Sequence, residues 1–594
     1  MIKKYFYLSL FVFSIHSQNL KTDTIAIVEG KIISSEDFIA RYELMPYQGK
    51  EQNIDKIKNE ILYSIVAEKI FSNEAIYQNL GNDSLLKAQE MYLTDLFLRD
   101  ALYKNMIPEI NVSEKEFKEN YRKFSEEISV QFLIFYSKND ALKFKKEVKE
   151  TNLNEIINKY RGVLLIVGDT VSVSQGVLKK EFEDEIYKLK ENQLSKVFDN
   201  GNKGFLIARV LKINISSKLE KINLFERRKW IEKEIRNKKE DTIATNLFFN
   251  LLKNKSAESD SVLFFRLVNS VVKIIQNDTE NKTQWEFSAL EYSKLRSDLA
   301  LYLNDNLIVY KNGAITLKWA IEYLAGERIK FEEKNKDYIA ITLNKYLKTI
   351  IQNKFLSEIA NEKNLFTDIN FKKDISNWMD NYRYHFLLNK IKDTLKVSDN
   401  DFINYFKSFP NELKTIPITI KICEIYSEQN DELIKILNNL TSGSTIESIA
   451  KKYHRKYFIN GLSESVHISK YPELGVFALF KITNEIIGPI KIHSANSVFK
   501  FIEMNISDST ILKNNLNIIA NKIKNEKLNN YISMLAEKQN VKVFENKIDK
   551  IKVTKLQMFT TRQIGFGGRI VAFPMVSPQF EWSSKLNSKN KILP

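Results

Sequence analysis

Ile27-Val-Glu-Gly-Lys-Ile-Ile-Ser-Ser-Glu-Asp-Phe38 decides the fold of this 594-residue chain, because it is written twice. It returns as Val309-Tyr-Lys-Asn-Gly-Ala-Ile-Thr-Leu-Lys-Trp319, and aligning Gly30 with Gly313 gives an offset of 283 residues. Val112-Ser-Glu-Lys-Glu-Phe117 returns as Val397-Ser-Asp-Asn-Asp-Phe402 at offset 285. Gly204-Phe-Leu-Ile-Ala-Arg-Val210 returns as Asn496-Ser-Val-Phe-Lys-Phe-Ile502 at offset 292. The slow drift fits a few loop insertions. The spacing exceeds the roughly 20–50 residues of a solenoid, so this is one large module in tandem.

Working outward, each copy reads in the same order. Thr24 to Glu29 is a strand, Gly30-Lys31 a turn, and Ser34 or Ser35 caps a helix whose first residues, Glu36 and Asp37, suit its N-terminus. Residues 51–105 carry apolar positions at helical spacing, with Leu62, Ile65, Val66, Ile70 and Phe71 on one face. Ser113 and Glu116 have the spacing of a capping box. The period then shortens: strands at 128–135, 162–173 and 205–213 alternate with helices at 140–150 and 182–189. The second copy gives strand-turn-helix at 307–325, helices at 339–394 and 398–407, and a mixed block at 415–505.

Composition bounds the function. Apolar residues make up 43%, enough for packed cores rather than disorder. The net charge is +16, mostly scattered Lys, which reads as a solvated surface or as steering toward acidic or membrane-surface partners. No basic stripe interleaved with aromatics exists, which argues against nucleic acid. Met1-Ile-Lys-Lys4, the apolar run Tyr5–Ile15 and Ser17 read as a secretory signal peptide cut before Gln18, with an uncleaved anchor as the alternative. No Cys follows the run, so no lipoprotein anchor is expected, and no later run is long enough to span a bilayer. Cys423 is the single cysteine, so no intrachain disulfide forms, and its alternating surroundings make it a half-buried strand residue. With five His in all, neither metal nor cofactor is expected. The tail differs in kind. Three glycines sit beside aromatics in Gln563-Ile-Gly-Phe-Gly-Gly-Arg569, followed by Pro574, Pro578 and Trp582. It is either a strip packed on the body or a docking segment for an envelope partner; no Lys-Ser/Thr follows the glycines, so it is not a phosphate loop.

Gly168-Asp169, Gly176-Val-Leu-Lys-Lys-Glu-Phe182, Leu189-Lys-Glu-Asn-Gln-Leu-Ser195 and Gly204-Phe-Leu-Ile207 resemble, in order and spacing, the motifs of parvulin-type peptidyl-prolyl isomerases. Tyr471-Pro-Glu-Leu-Gly475 and Asn484-Glu-Ile-Ile-Gly-Pro-Ile490 resemble them in the second copy. The strand-turn-helix openings are similar to the chaperone module of SurA-like and PrsA-like exported foldases. The resemblance implies an α+β, multidomain chain. Its parts are a signal peptide (1–17), an N-terminal helical chaperone-like module (18–125), a parvulin-like domain (126–215) and a helical linker region (216–300). A second helical module (301–410), a second parvulin-like domain (411–506), a C-terminal helix (507–557) and the tail (558–594) complete it.

The resemblance also implies a site. Prolyl isomerisation crosses a barrier of about 18–20 kcal/mol set by amide resonance. A catalyst grips the proline ring in an apolar cup and stabilises the twisted amide. The family's cup Met and Phe fall on Leu178 and Phe182. Its first histidine falls on Phe132 or Ile134 and its second on Leu206; no acid or thiol matches the remaining polar position. In the second copy Ile422 or Glu424, Val498, and Leu474 or Gly475 take the corresponding places. His454, His467 and His493 match none. These losses imply a periplasmic chaperone that binds unfolded outer-membrane or secreted polypeptides ahead of an active isomerase. A hydrolase is not supported, because no Ser/His/Asp set stands in a motif context.

Overall fold

The computed structural model describes residues 23–43, 53–148 and 153–590, apart from 218, 221, 278–283, 328, 453–456, 461–465, 471–473, 475–485, 493–494 and 555–559. The expected signal peptide, His454, His493 and Gly475 lie outside the described residues.

The first repeat opens with a hairpin, β1 (Thr24–Val28) and β2 (Lys31–Ser34). Glu29 and Gly30 form its two-residue turn with φ of +48° and +82°, the left-handed pair that matches strand twist. Ser34 Oγ accepts from the Asp37 N–H at 3.1 Å, so Ser34 is the serine that caps α1 (Ser35–Glu43). Then come α2 (Ile54–Tyr77), α3 (Ser84–Met106) and α4 (Glu114–Ser125), the last opened by the expected Ser113–Glu116 capping box. An α/β domain follows: β3 (Glu126–Phe135), α5 (Lys138–Glu147), α6 (Leu153–Lys159), β4 (Leu164–Val173), α7 (Lys180–Ile186), β5 (Phe198–Asp199) and β6 (Phe205–Ile215). Its antiparallel sheet runs β4-β3-β6-β5. Gly168 sits where β4 shifts register against β3; a Cβ there would lie 3.2 Å from the Phe132 carbonyl oxygen. The Gly-Asp pair is therefore a bulge inside a strand rather than a turn. After it come α8 (Leu224–Leu252), β7 (Ala257–Ser259), α9 (Ser261–Gln276), β8 (Trp285–Glu286) and α10 (Ala289–Asp298).

The second repeat restates the order with β9 (Asn306–Tyr310), β10 (Gly313–Thr316), α11 (Leu317–Glu327), β11 (Lys330–Phe331, paired with β8), α12 (Lys336–Glu362) and α13 (Ile369–Thr394). Next is α14 (Asp399–Ser408), again opened by a capping box, Ser398–Asp401. Then come β12 (Ile418–Ser427), α15 (Asn430–Thr441), α16 (Ile446–Lys452), β13 (Tyr457–Asn460), β14 (Val466–His467), β15 (Ile486–Ile492) and β16 (Ala495–Ile506). The sheet order β13-β12-β16-β15 reproduces that of the first domain, with β14 added beside β12. A long helix, α17 (Ser509–Lys538), and β17 (Lys542–Val543) complete it. Both strands of each hairpin are displaced by 282 residues, so Gly30 matches Asn312 and the alignment of Gly30 with Gly313 is one residue off.

The chain folds into two compact units, and each takes parts of both repeats. One comprises residues up to Thr94, Lys372–Gln563 and Arg569 onward; the other comprises Asp95–Phe371 and Ile564–Gly568. In the first unit the sheet is β17-β1-β2, so the last strand of the second repeat pairs with the first hairpin. Its core joins α2 residues (Leu62, Val66, Ile70) to Tyr384 and Leu387 of α13 and to Leu528 and Ile532 of α17. In the second unit the sheet is β10-β9-β7, so the last strand of the first repeat pairs with the second hairpin.

Side chains repeat this exchange. Ser72 of α2 donates to buried Asp380 of α13 in the first unit. Ser357 of α12 donates to buried Asp95 of α3 in the second. Serine and aspartate are each displaced by 285 residues between the units. The architecture is α+β and multidomain, with each helical module completed by the other repeat.

Candidate functional site

Alternation along β3 and β6 fixes which side chains share a face. Leu133, Phe135 and Ile207 face α5 with Phe144 and Tyr160. Ile128, Val130, Phe132, Ala208 and Val210 face the other way, with Ile186 and Tyr187 at the end of α7 and with Leu178. On this second face Ile134 stands opposite Leu206, and Leu206 opposite Phe198. Phe198 packs on Phe182 with ring centroids 4.4 Å apart. So the five positions implied by the resemblance, Phe132, Ile134, Leu178, Phe182 and Leu206, come together on one side of one sheet. Leu178, Phe182, Phe132 and Ile134 are each only partly buried, while Leu206 is 9% exposed. Phe198 was not anticipated; its place opposite Leu206 was hidden by the loop between α7 and β5.

The surroundings hold the shape of this cup without adding a proton carrier to it. Glu183 is buried, and its carboxylate accepts from the Gly176 N–H at 2.6 Å, pinning the loop that carries Leu178. The Ser195 hydroxyl, fully buried, accepts from the Ala208 N–H at 2.9 Å and donates to the Lys196 carbonyl. Burial pushes the Tyr187 phenol up, and nearby Glu183 adds to this; it stays protonated and donates to the Glu126 carbonyl at 3.2 Å. Asp169 is exposed at the bulge. The cup can bind an apolar ring; Phe132, Ile134, Leu178, Phe182, Phe198 and Leu206, which form it, carry no acid or base.

The second domain differs, and here the register corrects the sequence reading. The β12–β16 ladder pairs Tyr426 with Ser497 and Ile425 with Val498, where β3–β6 pairs Ile134 with Leu206 and Leu133 with Ile207. Ser497, not Val498, therefore occupies the place of Leu206, and Val498 is a buried core residue like Ile207. The shared bulge (between Ser129 and Val130, and between Lys421 and Ile422) puts Glu424 at the place of Phe132. Ser497 Oγ donates to Glu424 Oε1 at 2.6 Å, with Ser497 1% exposed. Ile422 and Leu474 are fully buried in the core of this domain. Polar groups are thus present at two of the positions in question in the second domain: Glu424, one of the two alternatives that the sequence offered, and Ser497, where the sequence reading had Val498. A one-residue slip in alignment concealed Ser497.

Cys423 lies on strand β12, as expected, but is fully rather than half buried, packed among Ile425, Leu433 and Val498. His467 is partly buried, its Nδ1 2.9 Å from the Ser469 hydroxyl. Among the described residues no cluster of three or more His, Cys, Asp or Glu could hold a metal ion. No described helix is long and apolar enough to cross a membrane. A cleft of about 640 Å³ in the second unit, lined by Glu258, Asp260, Val262, Arg266, Tyr302 and Val309 among others, adjoins the β7–β9 sheet and not the cup.

The described part of the tail is packed. In the second unit, Gly565 lies so close to α3 that a Cβ would fall 2.1 Å from Cβ of Tyr103, and Phe566 meets the Tyr103 ring edge-on. In the first unit Trp582 is fully buried.

The fold can now be set beside known proteins. No family model matches this chain, and no curated protein matches it. Among solved structures it is similar to the peptidyl-prolyl isomerase PrsA of Bacillus cereus (16% identity, 40% of this chain, 95% of the other, TM-score 0.19). It is also similar to a SurA-like chaperone of Campylobacter jejuni (16% identity, 40% of this chain, 100% of the other, TM-score 0.16). A third is PrsA of Bacillus anthracis (18% identity, 30% of this chain, 88% of the other, TM-score 0.16).

Proposed function

We propose that this chain is an exported chaperone of parvulin-like architecture that holds unfolded polypeptides, with outer-membrane or secreted proteins as clients in a periplasm. The observation that carries this reading is the first domain's cup. Phe132, Ile134, Leu178 and Phe182 share one sheet face, each partly open to solvent. An apolar surface held on a rigid sheet takes up exposed aromatic and prolyl segments without needing a particular sequence. The apolar N-terminal stretch supports export, and the scattered +16 charge supports solubility beside the bound client. The test is aggregation of a denatured outer-membrane porin with stoichiometric mature chain (residues 18–594). Slower aggregation is the expected outcome, weakened several-fold by Phe182→Ala; aggregation at the control rate sinks the reading.

A second reading, prolyl isomerisation, is favoured by one specific observation: the Ser497–Glu424 pair at the places of Leu206 and Phe132. Catalysed cis/trans exchange of a short Xaa-Pro peptide tests it. Loss in Phe182→Ala would place the activity in the first domain, and loss in Ser497→Ala in the second.

A further inference from the structure

Residues 574–580 form neither helix nor strand, yet they are held against the first unit, with Pro574 buried, Met575 and Pro578 exposed and the others half-buried. Their main chain is held by side chains. Arg41 Nη2 donates to the Pro574 carbonyl at 3.1 Å, and Asn381 Nδ2 to the Met575 carbonyl at 2.9 Å. The Gln579 N–H donates to Ser64 Oγ at 3.0 Å. Arg41 and Asn381 are themselves fixed by one carboxylate, Glu68: Arg41 donates both arms of its fork at 2.7 and 2.8 Å, and Asn381 donates at 2.7 Å. Arg41, Glu68 and Asn381 are all buried. Side chains of the same segment enter apolar ground. Trp582 is fully buried and meets the Tyr63 ring edge-on at 5.6 Å, while Val576 and Phe580 pack on the same core.

This is how a protein holds a peptide ligand. Polar groups grip the backbone and are indifferent to sequence; pockets take the aromatic side chains. The segment Ala572-Phe-Pro-Met-Val-Ser-Pro-Gln-Phe-Glu-Trp582 has three aromatics and two prolines in an extended run. Among the described residues beyond Ala572, whose N–H donates to the Thr560 carbonyl at 2.9 Å, no strand is paired, so no ladder of main-chain bonds ties the segment down. It can leave the groove without unthreading.

We propose that the groove formed by Arg41, Ser64, Glu68, Tyr63 and Asn381 is a polypeptide-binding groove, that residues 574–582 occupy it as a tethered stand-in, and that extended client segments rich in aromatics and proline displace them. The proposal rests on the chaperone reading and adds a second client site, far in sequence from the cup, with a built-in competitor. A tethered competitor acts at high effective concentration, so a free peptide must overcome it. Weakening the tether's grip raises the apparent affinity for peptide.

The test uses the full mature chain carrying Ser64→Cys and Gln579→Cys. The 3.0 Å contact between Ser64 Oγ and the Gln579 nitrogen brings the two backbones within reach of a disulfide, and the native Cys423 is buried elsewhere. The probe is a fluorescein-labelled synthetic peptide of residues 572–590. The reduced protein is expected to bind it saturably, and the oxidised, locked protein at least about tenfold more weakly. In parallel, Trp582→Ala in the full chain is expected to bind the peptide about tenfold more tightly than the unaltered chain. Equal binding by locked and reduced protein overturns the proposal. So does the absence of saturable binding to both the reduced protein and Trp582→Ala. Suppression of porin aggregation, measured on the same samples, separates the two readings. Suppression by locked and reduced protein alike, without a difference in peptide binding, leaves the chaperone reading standing and removes the groove. Suppression by neither removes the chaperone reading itself.

Discussion

The two units hold the same skeleton of buried polar contacts in different chemistry. In the first, Arg41 and Glu68 form a buried, bidentate ion pair. At the corresponding places in the second, Asn353 donates to the Tyr323 hydroxyl at 3.1 Å, a neutral pair. The serine–aspartate bond is kept in both, but Asp380 also receives Lys69 at 2.7 Å and Lys31 at 3.0 Å, whereas Asp95 receives the Tyr323 hydroxyl. The difference follows the tail. Arg41 also donates to the Pro574 carbonyl of the tail, and a guanidinium can serve a carboxylate and a carbonyl at once where the phenol of Tyr323 cannot. Geometry survived the duplication; charge was free to change with each unit's neighbours.

The largest expected effect tests the exchange that both units share. A protease site placed in Lys253–Ser256 should yield two fragments that stay together under native conditions and separate only in denaturant. Each unit needs segments from both sides of the cut: β1 and α2 with α13 and α17 in one, α3 and α8 with β9 and α12 in the other. Native electrophoresis or light scattering reads the outcome, and fragments that part without denaturant would break the comparison at its root.

Next in size is the contrast between ion pair and neutral pair. Glu68→Ala strands Arg41 in the interior and should cost about 3–5 kcal/mol. Asn353→Ala removes a neutral bond and should cost about 1–3 kcal/mol. Urea unfolding of the two variants beside the unaltered chain ranks them; equal losses would mean that the charge makes no difference.

Acid sharpens the contrast further. Burial alone would raise the carboxyl of Asp380, but Lys69, then Lys31, outweigh it and hold the group at about 2, below its ordinary 3.8. A carboxyl depressed in the folded state stabilises above its unfolded pKa, and that contribution is lost as pH falls from 3.8 toward 2. Over that interval it amounts to about 2 kcal/mol. Asp380→Asn should therefore be less stable than the unaltered chain at pH 7, with the gap narrowing as pH falls through this window. Thermal unfolding at several pH values checks it.

The smallest effect concerns the two α/β domains. Ser497→Ala removes one hydrogen bond to Glu424 and should cost about 1 kcal/mol, with any catalysed Xaa-Pro exchange that belongs to the second domain falling alongside. An equivalent change at Leu206 has no polar group to remove.

Local signals were legible. The Ser113–Glu116 spacing announced a capping box that exists, because a cap is decided within four residues, and its repeat forms one at Ser398–Asp401. The β3 and β6 strands, with Phe132 and Leu206 facing the same way, followed from alternation. Two kinds of fact were not legible. Partner choice between near-identical modules is one: β17 has the same two-residue claim on either hairpin, and nothing local says that it joins β1. Register is the other, since a single-residue slip moves every side chain to the opposite face and made Ser497 look like Val498. The tail's glycines pointed to close packing, but not to Tyr103, whose proximity to Gly565 depends on a contact more than four hundred residues away.

The exchange also sets a timetable. The second unit is nearly complete when Phe371 has emerged, but the segment that ends at Thr94 must wait for α13 and α17. At about 5–20 residues per second, the stretch from Thr94 to Lys538 takes roughly 20–90 s to synthesise. Through that delay Leu62, Val66, Ile70 and Phe71 have no core to enter, so the newborn protein is, for its first minute, a candidate for the same protection that we propose it gives to others.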